Sequence, residues 1–152
     1  MKTLLICISI HHGNTEKIAK AMAEVLDAKL IKPREVDAAS LLKYDLIGFS
    51  SGIYYHKHHK SLLDLIDRLP YLKDKKAFIF STSGIKNILF INDYNKLLKK
   101  KLSEKFNIIG EFSCRGFHAY GPFKYIGGIN KGRPNEKDLE KAKDFVRDLK
   151  NV

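Results

Sequence analysis

The sequence predicts an α/β fold, a doubly wound five-stranded parallel sheet with helices on both faces. Three observations point to it. Short apolar runs of strand length alternate with segments whose apolar residues recur at helical spacing. The first run, Leu4-Leu5-Ile6-Cys7-Ile8, is apolar without alternation, as in a strand buried on both faces. The segments after the first, third and fourth runs are rich in Ser, Thr, Gly and Asn, as ligand-binding turns beyond strand ends are.

The elements follow in order. After the first strand comes a small polar loop, Ser9-Ile10-His11-His12-Gly13-Asn14-Thr15, and then a helix with Ile18, Met22, Val25 and Leu26 on one face. Lys29-Leu30-Ile31-Lys32 is a short second strand, stopped by Pro33. Residues 34–43 connect, with a helical turn at Leu41 and Leu42. The third strand spans Tyr44 to Ser50 and runs into a loop, Ser51-Gly52-Ile53-Tyr54-Tyr55. A second helix lies within His56 to Pro70, with Leu62, Ile66 and Leu69 inward and Ser61 as its cap. Lys76 to Phe80 is the fourth strand, ending in Ser81-Thr82-Ser83-Gly84. Asp93 is expected to cap a third helix carrying Leu97, Leu98 and Leu102. Asn107 to Cys114 is the fifth strand. After a long loop over 115–134, Asn135 caps a last helix bearing Leu139, Ala142, Val146 and Leu149.

Composition narrows the class. A chain of 152 residues with 44% hydrophobic content supports one domain, residues 1–152, with a full core. No apolar run reaches the ~18 residues of a membrane span. The chain enters a strand at once, leaving no room for a signal peptide before it. Cys7 and Cys114 both sit in apolar runs, which predicts buried free thiols in a cytoplasmic protein. The net charge is +11, spread over both halves of the chain. It predicts a lysine-rich surface suited to an acidic partner; no nucleic-acid motif accompanies it.

The polar loops define the candidate site. Where a loop hands over to a helix, the first N–H groups have no partner within the helix and carry the positive end of its dipole. An anion, most often phosphate, fits there. Loops 9–15, 50–56 and 81–92 meet at one place only if the sheet order is 2-1-3-4-5. Three other uses of such a fold fail on inspection. A receiver domain needs an Asp where Phe49-Ser50 stand, and a small phosphatase needs Cys-x5-Arg, but Gly13 follows Cys7 at that distance. An ATP-type loop needs the lysine that Gly13-Asn14-Thr15 lacks.

The run ending Gly13-Asn14-Thr15-Glu16-Lys17 resembles the phosphate loop of flavodoxins, usually Ser/Thr-x-Thr-Gly-Asn-Thr. The resemblance covers the whole chain and is similar to the short-chain type, since the fifth strand is unbroken. It implies a flavodoxin-like fold and bound FMN. The phosphate would lie on Ser9, Ile10, His11, His12, Gly13, Asn14 and Thr15. The isoalloxazine would lie between Ser50, Ser51, Gly52, Ile53 and Tyr54 on one side and Ser81, Thr82, Ser83 and Gly84 on the other. It further implies that the peptide at Gly52 can turn over when the flavin gains an electron, offering its carbonyl to a flavin N–H. Tyr54 or Tyr55 is the expected flavin partner, and Phe90 is the nearest aromatic in the third loop. The chain departs from the family at His11 and His12, which replace small residues and a threonine, and in being basic where flavodoxins are usually acidic.

These readings point to an FMN protein carrying electrons between proteins, with an acidic redox partner. The alternatives are an FMN-dependent oxidoreductase acting on a quinone or a porphyrinogen-like substrate, and a binding module for another phosphate ligand. The enzyme reading rests on the 115–134 loop, which mixes aromatics with cations. His56-Lys57-His58-His59 reads as a solvated loop entering a helix; Lys57 and Lys60 disfavour a metal there.

Overall fold

The computed structural model describes residues 1–8, 13–54, 57–83, 95–115 and 132–152, with backbone alone at 53, 54, 57, 83 and 115. The strands are β1 (Thr3–Ile8), β2 (Lys29–Ile31), β3 (Leu46–Tyr54), β4 (Lys57–His58), β5 (Lys76–Ser83) and β6 (Asn107–Arg115). The helices are α1 (Asn14–Leu26), α2 (Lys60–Arg68), α3 (Lys96–Lys105) and α4 (Glu136–Leu149). Five strands run parallel in the order β2-β1-β3-β5-β6. Counting those five alone, this is the expected 2-1-3-4-5. The addition is β4, two residues paired antiparallel to the end of β3.

Strand alternation divides the core in two. Leu4, Ile6, Ile47, Phe49, Ala77 and Ile79 face Leu62, Leu65 and Ile66 of α2 and Leu98 and Leu102 of α3. Leu5, Cys7, Phe78 and Phe80 face Ile18, Met22 and Leu26 of α1 and Ala142, Val146 and Leu149 of α4. Gly48 lies in mid-strand on this second face because nothing larger fits. A Cβ there would stand 2.6 Å from Leu5 Cδ2 and 2.7 Å from Phe78 Cζ.

Several boundaries differ from expectation. β3 starts at Leu46, because Tyr44 ends a 3-10 helix over Ala38–Lys43. In that turn Leu41 is buried and Leu42 is exposed. β3 and β5 continue through the polar residues to Tyr54 and Ser83. The loop expected at 51–55 is therefore strand as far as Tyr54. The reason is pairing: Ser51 registers with Ile8 and Ser81, and Gly52 with Thr82, so the ladder satisfies the backbone. Ser61 is not the cap of α2. His59 is, its Nδ1 accepting the Ser61 N–H at 3.1 Å, while Ser61 sits in the first turn. Leu97 is 47% exposed and points away from the core that takes Leu98 and Leu102. Asp93 lies outside the described residues; Asn95 stands at the N-cap position of α3. Cys114 is half-buried, unlike Cys7.

The cap of α4 is as expected. The Asn135 side chain accepts the Asp138 N–H at 3.0 Å, and the Asp138 carboxylate accepts the Asn135 N–H at 2.9 Å. The Arg133 guanidinium donates two bonds to the same carboxylate. These bonds hold the Asp138 pKa below the usual carboxylate range, against the opposing effect of burial.

Candidate functional site

The C-terminal ends of β1, β3, β5 and β6 lie side by side. Ile8, Ser51, Ser81 and Ser113 form one row of the ladder, and Gly52, Thr82 and Cys114 the next. The polar residues are thus consecutive in space, and alternation sends their side chains to opposite faces of the sheet.

On the α1 side, Thr15 is fully buried and its hydroxyl lies 2.7 Å from that of Thr82. This bond ties the start of α1 to the end of β5. Gly13 precedes the helix with φ +62°, left-handed backbone that glycine adopts without steric cost. A Cβ would meet nothing closer than Glu16 Oε2 at 3.9 Å, so conformation, not space, calls for glycine. No side chain caps α1 at Gly13. The first N–H groups of a helix lack partners within it, as an anion site requires. The Ser50 hydroxyl is buried beside Cys7, one strand over in register. Burial pushes the Cys7 thiol up to about 12, with Glu16 adding to the rise and the Ser50 hydroxyl opposing it. Burial, with the charge of Asp138, also takes Cys114 to about 12 against the pull of Arg133. Neither is a thiolate nucleophile at neutral pH.

On the α2 and α3 side the polar groups form a chain. The Ser51 hydroxyl lies 2.9 Å from the Gly52 carbonyl and 2.8 Å from His58 Nδ1, and it accepts the His59 N–H at 2.9 Å. His58 Nε2 lies 2.6 Å from Asn95 Oδ1. Asn95 Nδ2 donates to Glu111 Oε1 at 2.7 Å and lies 3.3 Å from Ser113 Oγ. Ser113 in turn lies 2.9 Å from Ser81 Oγ. Burial lowers the His58 pKa to about 4, against the Asn95 hydrogen bond that raises it.

The structure therefore brings together Gly13, Asn14, Thr15, Ser50, Ser51, Gly52, Ser81 and Thr82 at one end of the sheet. Ile53, Tyr54 and Ser83 continue the same strands in backbone. Ser9, Ile10, His11, His12 and Gly84 lie outside the described residues, as do Tyr55, Phe90 and most of the 115–134 loop. His58 corrects the reading of the histidine tract as solvated loop: it is 4% exposed, in β4, with both ring nitrogens engaged. Asn95, Glu111 and Ser113 escaped the sequence reading too. They lie 37 or more residues from His58, and nothing local marks them as its partners.

A flavin mononucleotide suits this arrangement. It needs an uncapped helix start for its phosphate, and backbone edges and small hydroxyls for its polar ring edge. Among the described residues, the start of α1 has no side-chain cap from Gly13, and the ends of β3 and β5 carry the backbone and hydroxyls. Among them, no helix is long and apolar enough to cross a membrane.

Comparison with known proteins agrees. A family model described as "Flavodoxin domain" matches residues 5–116. An uncharacterised protein of Methanocaldococcus jannaschii is 49% identical over 150 residues, covering 98% of each chain. Flavodoxin 2 from Bacillus cereus superposes with a TM-score of 0.71 at 20% identity, covering 99% of each chain. A flavodoxin from the domain Archaea gives 0.67 at 18% identity, covering 98% of this chain and 96% of that one. With more than half its length matched by the family model, the chain belongs to the flavodoxin family of FMN-binding proteins.

Proposed function

We propose that this protein carries electrons between protein partners, with Gly13–Thr15 holding the FMN phosphate and the ends of β3 and β5 flanking the ring. When bound, FMN supplies the redox chemistry; the chain binds it, orients it and sets its potential. The observation that supports this reading best is the buried Thr15–Thr82 bond. It joins the phosphate end of the site to the ring end through one hydrogen bond, so the two halves are held in one geometry. Loop residues Ser9 to His12 complete the phosphate side in this reading, and Gly84 the ring side. The Gly52 carbonyl is the acceptor offered to a flavin N–H.

Asn14 tests the phosphate assignment. Asn14→Ala is expected to weaken FMN binding by about 1.5–3 kcal/mol, the worth of a hydrogen bond to a charged group, and to leave riboflavin binding nearly unchanged. Calorimetric titration of the apoprotein with both flavins measures it. Equal losses for the two would reject the assignment. Thr15→Ala is a poorer probe, since it also removes the bond to Thr82.

The net charge of +11 supports an acidic partner. Exposed Lys96, Lys99 and Lys100 on α3 lie just beyond Asn95, close to the site. Electron transfer to an acidic redox protein should slow steeply from low to high ionic strength. Stopped-flow absorbance follows it, and a rate that ignores salt would take electrostatics out of recognition.

A further inference from the structure

We propose that His58, acting through the single hydroxyl proton of Ser51, is a positioning residue for the Gly52 carbonyl. The proposal rests on the reading that Gly52 faces the flavin, and the experiment below separates the two.

The carboxylate at one end of this hydrogen-bonded chain sets the direction of each bond along it. Glu111 is a carboxylate, so it takes a hydrogen from Asn95 Nδ2 at 2.7 Å. That fixes the amide with Oδ1 toward His58. An amide oxygen only accepts, so His58 must carry its proton on Nε2 to make the 2.6 Å contact. A neutral ring then has its lone pair on Nδ1, facing Ser51 at 2.8 Å. Ser51 now has two acceptors within reach, His58 Nδ1 and the Gly52 carbonyl at 2.9 Å, and one hydrogen to give. One of its two lone pairs takes the His59 N–H at 2.9 Å, which leaves the other for a donor on Nδ1.

With His58 neutral, the Ser51 hydrogen goes to Nδ1 and the Gly52 carbonyl has no bond from the Ser51 side chain to break when it turns. With His58 protonated, Nδ1–H donates to Ser51, and the Ser51 hydrogen goes to the Gly52 carbonyl and holds it in the strand. Burial keeps the ring neutral at physiological pH, its pKa lowered to about 4. The Ser51 side chain therefore leaves the Gly52 carbonyl unbound. Among the described residues, charge reaches the ring through Asn95. It comes from Glu111 on β6, paired with Lys99 of α3 at 3.5 Å. On the other side stands His59, whose Nδ1 is 2.8 Å from the Ser61 hydroxyl.

The test uses FMN-loaded protein and two variants. His58→Phe removes the competing acceptor, leaving the Ser51 hydrogen to the Gly52 carbonyl. Adding Ser51→Ala removes that hydrogen. The first should lower the equilibrium constant for uptake of the first electron about three- to tenfold, the worth of one neutral hydrogen bond. The double variant should restore it. A purely structural role for His58 predicts the reverse, a double variant no better than the single one, and that result would overturn the proposal. The Gly52 carbonyl ¹³C resonance is read in the oxidised state of the same samples. It should move downfield in His58→Phe and return in the double variant. If it does so while the redox equilibrium stays constant, the Ser51 selector stands and the flavin-facing role of Gly52 fails. Should His58→Phe not fold, an acid titration of wild type and Ser51→Ala decides. A Gly52 resonance that follows the His58 ring in wild type and is flat in Ser51→Ala supports the proposal; the absence of any such following overturns it.

Discussion

Replacing Lys105 by methionine is expected to destabilise the fold by about 2–4 kcal/mol. Lys105 is the last residue of α3 and is 9% exposed. Its ammonium donates to the carbonyls of Ile66 at 2.7 Å, Leu69 at 2.6 Å and Asp67 at 3.1 Å. These belong to the end of α2, where helix carbonyls lack partners within the helix and the dipole is negative. One cation thus closes α2 and pins it to α3. Methionine keeps the length and apolar stem but donates nothing. The Ile66 carbonyl still has the Leu69 N–H at 3.2 Å, and water can reach Asp67. The main loss is at Leu69, with part of the charge-assisted bonding at the other two, at about 1–3 kcal/mol per stranded buried group. Against a typical stability of about 5–15 kcal/mol this is a large share. Urea unfolding should show a lower midpoint with an unchanged slope, and Lys105→Arg should recover part of it. A loss under about 1 kcal/mol would mean that water replaces the ammonium at all three carbonyls.

Acid should unfold this protein earlier than its carboxylates require, and His58 is the cause. The ring titrates near 6.5 in the unfolded chain and near 4 in the folded one, because burial disfavours its charged form. The folded pKa is the lower, so between those values the unfolded chain binds more protons, and stability falls as pH falls. The contribution is intact above about pH 6.5 and is lost on the way to about pH 4, on the order of 3 kcal/mol in all. Asp138 acts in a different window. Its pKa is depressed by Arg133, so its contribution persists until the pH drops below the usual 3.8. Stability measured in urea at a series of pH values should therefore fall in two stages. In His58→Phe the first stage should vanish and the second remain. Parallel curves for the two proteins would show that the ring is not held neutral by the fold.

The fold was legible in the sequence because its signals are local. Apolar runs such as Leu4–Ile8 identify buried strands, and the spacing of Ile18, Met22 and Leu26 identifies the face of α1. With right-handed crossovers these leave few sheet orders open. The proposed phosphate end of the site was legible for the same reason: Gly13, Asn14 and Thr15 are adjacent and stand at the start of α1. The Asn135 cap lies three residues from its partner Asp138 and could be read in the same way.

What the sequence alone determined, then, was the succession of the five parallel strands and four helices and the residues at their polar ends. The tertiary structure decided what those polar ends touch. Ser51, Gly52, Ser81 and Thr82 look like loop residues by composition, yet they are strand, because the neighbouring strands supply the hydrogen bonds that a polar segment would otherwise seek from water. Composition likewise places the His56–His59 tract in solvent. Instead β4 folds back on β3 and carries His58 into the sheet, where Ser51 and Asn95 satisfy both ring nitrogens. Lys105 looks like one more surface lysine until the end of α2 packs against it. In each case the deciding partner lies 7 to 43 residues away in the chain. Hydrogen-bond satisfaction of a buried polar group is set by distances across the fold, and spacing along the chain does not encode them.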